Sequence, residues 1–123
     1  QEVHDKFRCS KLGTPSFRQV MQGIDLLNKY GVEWNALAVV NADNANDPEG
    51  FYQFFKSINC HYLQFTPVVE RIFPHQDGRK LATPLDNATA TLTPFSVKPE
   101  QWGNFLCQLF DQWVKEDVGD TFV

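Results

Sequence analysis

The sequence predicts an α/β fold in which parallel strands are joined by crossover helices. Three observations predict it. Helical and extended patterns alternate in the order helix, strand, helix, strand, long loop, helix, as βαβ units require. The first extended segment, Val32 to Val40, is mostly apolar on both parities, as in a parallel sheet covered on two sides. Both extended segments end in polar residues, at the edge where parallel α/β folds bind ligands. Only two strands are evident, fewer than the usual four to six or so. The chain therefore reads as one partial domain, residues 1–123, cut from a larger barrel or open sheet.

The opening "QEVHDKFRCS" reads as a polar loop with no leader character. "TPSFRQVMQGIDLLNKYG" then predicts a helix capped by Thr14, with Pro15 at its first position. Phe17, Val20, Ile24 and Leu27 give it one apolar stripe. Lys29 suits its last turn, and Gly31 its left-handed end. Val32 to Val40 is the first strand. "NADNAND" is a turn-forming loop, and Asp47-Pro48 starts a second helix with Phe51, Phe54, Phe55 and Ile58 on one face.

Tyr62 to Val69 is the second strand. Pro67 lacks an amide donor, so it belongs at an edge or irregularity, where a strand leaves its sheet. A connection from Glu70 to Phe95 follows, with three prolines and the polar run "DNATATLT". Loops of this length in a compact domain are usually functional or disordered. The last helix, in "KPEQWGNFLCQLFDQWVKEDVG", has a wide apolar face of Trp102, Phe105, Leu106, Leu109, Trp113 and Val114. Gly119 is its stop, and "DTFV" begins a further element.

A net charge of −4 and a pI near 5.2 argue against a nucleic-acid partner. No apolar run reaches the roughly 18 residues that span a membrane. Cys9, Cys60 and Cys107 are an odd, widely spaced set, which points to a reducing, cytoplasmic compartment rather than a disulfide framework. Cys60 and Cys107 read as packing residues, and neither they nor His61 and His75 have metal-ligand spacing.

The strand ends supply the candidate site: Asn41 after the first strand, and Val69, Glu70 and Arg71 after the second. Each has an ordinary reading beside the functional one. Glu70-Arg71 fits a solvated ion pair worth under about 1 kcal/mol. Gln64 fits a side chain satisfying a neighbouring backbone group. His4-Asp5 near Arg8 fits a surface turn.

Four stretches together resemble the anaerobic sulfatase-maturating enzymes, also described as arylsulfatase regulators: "QEVHDKFR", "SFRQVMQGIDLLNKYGVEWNALAVVN", "YLQFTPVVER" and "WGNFLCQLFDQWVKEDVG". The resemblance spans nearly the whole chain and is specific in its order and spacing. It implies the second half of a partial (β/α)6 radical S-adenosylmethionine barrel, from just after the fourth strand through the sixth helix. It implies that the full-length parent binds S-adenosylmethionine and [4Fe–4S] clusters. The parent would oxidise a cysteine or serine of a sulfatase polypeptide to Cα-formylglycine. The family's CxxxCxxC loop and cysteine-rich C-terminal region are missing here, so no catalytic residue, metal or cofactor is expected to be held by this piece alone. Carried over by position, Arg8 would grip the methionine carboxylate, as a guanidinium can through paired hydrogen bonds. Val69 would pack on the adenine, and Asn41 would face the same mouth. Glu70 and Arg71 would contact substrate peptide or a neighbouring domain. Open sheet edges would let the piece self-associate. The other reading is a small self-contained α/β interaction module without catalysis, using its aromatic last helix as a docking face.

Overall fold

A computed structural model of the chain describes residues 1–75, 78–81 and 90–123. Part of the polar run, 86–89, and the His75 side chain lie outside the described set. The opening segment is a helix, α1 (Glu2–Phe7), rather than a loop. Its Asp5 explains why α2 (Phe17–Lys29) starts later than Thr14: the Asp5 Oδ1 accepts the Phe17 N–H at 2.9 Å. A carboxylate at a helix N-terminus satisfies a free amide and suits the dipole. Gly31 follows α2 at φ 62°, as its predicted role as a stop requires.

β1 (Asn35–Val40) leads through the short 3₁₀ turn Asn44–Asn46 into α3 (Pro48–Ser57). Asp47 caps α3 by accepting the Gly50 N–H at 2.9 Å, with Pro48 opening the helix. A Cβ at residue 50 would collide with that carboxylate, so glycine makes the cap possible. β2 (Tyr62–Pro67) pairs with β1 in parallel, in the register Asn35–Tyr62 through Val40–Pro67. Pro67 stands at the last rung, where a missing donor is tolerated.

The connection after β2 holds structure that the sequence analysis did not expect. β3 (Arg71–His75), β4 (Gly78–Leu81) and β5 (Thr91–Leu92) form an antiparallel sheet in the order β4-β3-β5. The prolines and polar residues hid it. Among the described residues, β5 pairs with Arg71 and Ile72, and Pro74 pairs with Arg79 of β4.

α4 (Pro99–Glu116) packs on α3 and the sheet. The core joins Val40, Ala45, Tyr52, Cys60, Leu63, Val97, Phe105 and Leu109. Its aromatic centre links Phe51, Phe65 and Trp102 to Phe105 at centroid distances of 5.6–5.7 Å. Tyr52 hydroxyl donates to Asp117 at 2.9 Å, and Lys56 ion-pairs with the same carboxylate at 2.7 Å. Burial works against the Asp117 charge. The hydrogen bonds from Lys56 and Tyr52 outweigh it and hold the carboxyl below its ordinary range. Burial and then Asp117 push the Tyr52 hydroxyl upward.

Gly119, at φ 95°, turns the chain after α4, and Phe122 then pairs with Tyr62 in parallel. Of the predicted wide face of α4, Phe105 and Leu109 are buried, while Leu106 and Val114 stay exposed, as does the neighbouring Phe110. Cys60 is buried as expected; Cys107 is exposed, because it lies on that uncovered flank.

Among the described residues the β1–β2 sheet is covered on one face only, not on both as the apolar run of the first strand suggests. Ala36, Ala38, Val40, Leu63 and Phe65 face the helices. Asn35, Leu37, Val39, Tyr62, Gln64 and Thr66 share the other face and are exposed.

Candidate functional site

Three segments meet at the carboxyl ends of β1 and β2. The first follows β1. Asn41 is buried, and its Oδ1 accepts the Asp43 and Asn44 N–H groups at 2.9 and 3.1 Å. Asn44 returns the bond, its Oδ1 accepting the Asn41 N–H at 2.8 Å. This interlocked turn is local chemistry, because asparagine bonds readily to backbone two or three residues on. Among the described residues the Asn41 Nδ2 has no acceptor.

The second segment follows β2. The Val68 N–H donates to Val40 O at 2.7 Å, extending the ladder one rung. Val69 is 60% exposed, an apolar side chain presented at the strand end. The Glu70 N–H donates to Ser96 Oγ at 2.9 Å, and the same hydroxyl bonds Glu70 O and Thr93 Oγ1. Arg71 is exposed and enters β3. Glu70 and Arg71 form no ion pair with each other among the described residues, so the ordinary reading of that dipeptide does not apply.

The third segment, residues 93–97, straps both strand ends. The Ala42 N–H donates to Phe95 O at 3.0 Å, and the Val97 N–H to Val68 O at 2.9 Å. Thr93 and Ser96 are buried with their hydroxyls 2.8 Å apart. Sequence reasoning missed both, since their partner Glu70 lies far back in the chain.

Helix α1 docks on this end. Lys6 Nζ contacts Asp43 Oδ2 at 2.6 Å, and the Phe7 ring lies 5.7 Å from Phe95. Arg8 directly follows that helix and is exposed, and Ser16 Oγ donates to its carbonyl at 2.7 Å. Its guanidinium has no partner among the described residues. The structure thus gathers Arg8, Asn41, Val69, Glu70 and Arg71 at one end of the parallel strands. Among the described residues it offers there two unpaired cations, Arg8 and Arg71, one free amide donor and one bare apolar side chain.

The cysteines do not join them: Cys9 and Cys107 are exposed, Cys60 is buried, and burial pushes its thiol upward. Among the described residues no group of three or more His, Cys, Asp or Glu side chains could hold a metal ion. A groove of about 530 Å³ lies at the opposite, amino end of the strands, lined by Asn28, Trp34, His61, Tyr62, Asp120 and Phe122. Its shape is shallow, and it is remote from the free cations and donor. No described helix is long and apolar enough to cross a membrane.

No family model matches the chain. It is 63% identical over its whole length to a serine-type anaerobic sulfatase-maturating enzyme of Bacteroides thetaiotaomicron, covering 30% of that protein. Over its whole length the chain is thus similar to an anaerobic sulfatase-maturating enzyme. It is also 34% identical over its whole length to a cysteine-type member from Clostridium novyi, covering 29% of it. A solved structure of native anSMEcpe with bound AdoMet and Cp18Cys peptide superposes on 98% of the chain, with TM-score 0.72 and 27% identity, covering 30% of that protein. The chain thus spans about 30% of the length of the curated family members it matches.

Proposed function

We propose that the chain is the cofactor-gripping part of a radical S-adenosylmethionine enzyme that oxidises a sulfatase residue to Cα-formylglycine. It would form the fifth and sixth strands of a partial (β/α)6 barrel as a single partial domain, residues 1–123, in a cytoplasmic protein. The observation that carries this reading is the full-length match at 63% identity to a serine-type maturating enzyme.

The residues at the strand ends fit S-adenosylmethionine. The unpaired Arg8 guanidinium suits its carboxylate, Val69 suits the adenine face, and the Asn41 Nδ2 can donate to a polar edge. The cysteines do not fit a [4Fe–4S] cluster, because one is buried and the other two stand apart from the site. The cofactor supplies hydrogen abstraction from the Cβ of the target residue. The chain's part is to fix the methionine end and the adenine end, so that the reacting carbon has one position. Glu70 and Arg71, at the rim, would contact the sulfatase polypeptide.

Arg8→Ala in the full-length protein tests the assignment. Losing a charged hydrogen-bonded contact costs about 2–5 kcal/mol, so the Kd for S-adenosylmethionine should rise well over tenfold by equilibrium dialysis. An unchanged Kd removes Arg8 from the site.

A further inference from the structure

We propose that Ser96 is a positioning residue for the cofactor: its hydroxyl fixes the exit of β2 so that Val69 meets the adenine. The proposal rests on the function assigned above. Its ground is the way the chain leaves β2. Pro67 stands at the last pair of the β1–β2 register, and one further bond follows, from the Val68 N–H to Val40 O at 2.7 Å. β1 ends there, because the Asn41 N–H is taken by Asn44 Oδ1 at 2.8 Å. Past that point β2 is held by a segment 26 residues further along the chain.

Two of the bonds from that segment are backbone bonds. The Thr93 N–H donates to Glu70 O at 2.9 Å, one step beyond the Arg71–Leu92 pair of β3 and β5. The Val97 N–H donates to Val68 O at 2.9 Å. The Ser96 hydroxyl adds what a backbone bond cannot. It accepts the Glu70 N–H at 2.9 Å and donates to Glu70 O at 3.1 Å, so one side chain holds both backbone polar groups of one residue. With its single proton used in this way, it accepts from Thr93 Oγ1 at 2.8 Å. Ser96 and Thr93 are only 5% and 6% exposed, so water is poorly placed to replace these bonds.

The consequence falls on Val69. Its neighbours on both sides, Val68 and Glu70, are fastened, while its own side chain is 60% exposed at the strand end. On a loose exit, binding would have to select one backbone state from several and lose affinity by doing so. An exit clamped on both sides of Val69 presents it in one state. Preorganisation of this kind strengthens binding without adding a contact. Ser96 is buried and bonded to the chain itself, so it acts through Val69 and not by touching the cofactor.

The test uses the full-length holoenzyme and equilibrium dialysis with S-adenosylmethionine. Ser96→Ala removes only the hydroxyl, and the Kd should rise about fivefold. Val69→Ala should raise it by a similar factor. Adding Ser96→Ala to Val69→Ala should change the Kd by less than about twofold, since no side chain is left to present. A merely stabilising role for Ser96 would not make its effect depend on Val69. Thr93→Val, equal in shape, is the second variant should Ser96→Ala fold poorly. Its Kd should rise about threefold, and again only while Val69 is present. An unchanged Kd in Ser96→Ala overturns the proposal, as does an unchanged Kd in Thr93→Val where Ser96→Ala does not fold. So does an equal loss with and without Val69, which would make the clamp a support of the fold alone. If Arg8→Ala and Val69→Ala both leave the Kd unchanged, the cofactor reading falls and this proposal with it. If both weaken binding and Ser96→Ala does not, this proposal alone is lost.

Discussion

The two faces of the β1–β2 sheet share one backbone ladder and differ in almost everything else. On one, Ala38, Val40 and Leu63 are at most 6% exposed, sealed by the aromatic rings of α3 and α4. On the other, Leu37 and Val39 are 70% and 42% exposed beside the exposed Gln64. The difference teaches that apolar residues in a strand do not say which side is packed. Small alanines on the helix side admit the bulky Phe51 and Phe105. Larger aliphatic residues on the open side form a wall that no described element covers. An uncovered apolar surface of this kind marks a place where something binds.

The comparison can be broken most forcefully from the packed side. Phe105→Ala removes the ring that touches Phe51, Phe65 and Trp102 at the centre of the core. Cavity formation there should cost about 3–5 kcal/mol in urea unfolding of the chain. A loss no larger than that of a surface change would mean the helices do not truly seal this face.

A middle effect should come from the clamp behind that face. In Asp117→Asn the Lys56 ammonium loses its nearer counter-charge, keeping only Glu116 at 3.7 Å, and Tyr52 its ionised acceptor, at a cost of about 1–3 kcal/mol. The same carboxyl sets an acid limit. Its folded value lies below the ordinary 3.8, so its contribution is complete above that pH and is lost as pH falls through the lower folded value. The unfolding midpoint of the unmutated chain should therefore drop below about pH 4 more steeply than that of Asp117→Asn. Parallel profiles would assign the acid limit to another carboxylate, of which Asp5, also held low, is the next to replace.

The smallest effect belongs to the open face. Leu37→Ser should shift the stability of the 123-residue chain by no more than about 0.5 kcal/mol, since the side chain is mostly in water. In the full-length protein the same change should cost several times more if the face is enclosed. Equal small costs in both would show that the wall stays open to solvent.

What the sequence could reveal follows the distance over which each feature is determined. Helices α2, α3 and α4 and strands β1 and β2 were legible from periodicity and punctuation, as were the Asp47 cap and the Gly31 and Gly119 stops. Each depends on residues a few positions apart. The start of α2 was misplaced because its amide partner, Asp5, is twelve residues away. Helix α1 escaped notice because its Gln1 cap makes no side-chain bond and its six residues are too few for a periodic stripe. The antiparallel sheet was hidden because Pro74 reads as a breaker, while the pairing of β3 with β4 and β5 joins residues up to about twenty positions apart.

The candidate site divides in the same way. Arg8, Asn41, Val69, Glu70 and Arg71 were named from the sequence, by strand-end position and family resemblance. The strap through Thr93 and Ser96 was not, nor was the outward row of Leu37, Val39, Gln64 and Thr66. By itself the sequence determined which segments are helical or extended and where they stop, because backbone preference and capping act between near neighbours. Only the tertiary structure decided which side of the parallel strands the helices take and that Arg8 joins their carboxyl ends, because those outcomes depend on contacts such as Phe7 with Phe95 that chain order does not encode.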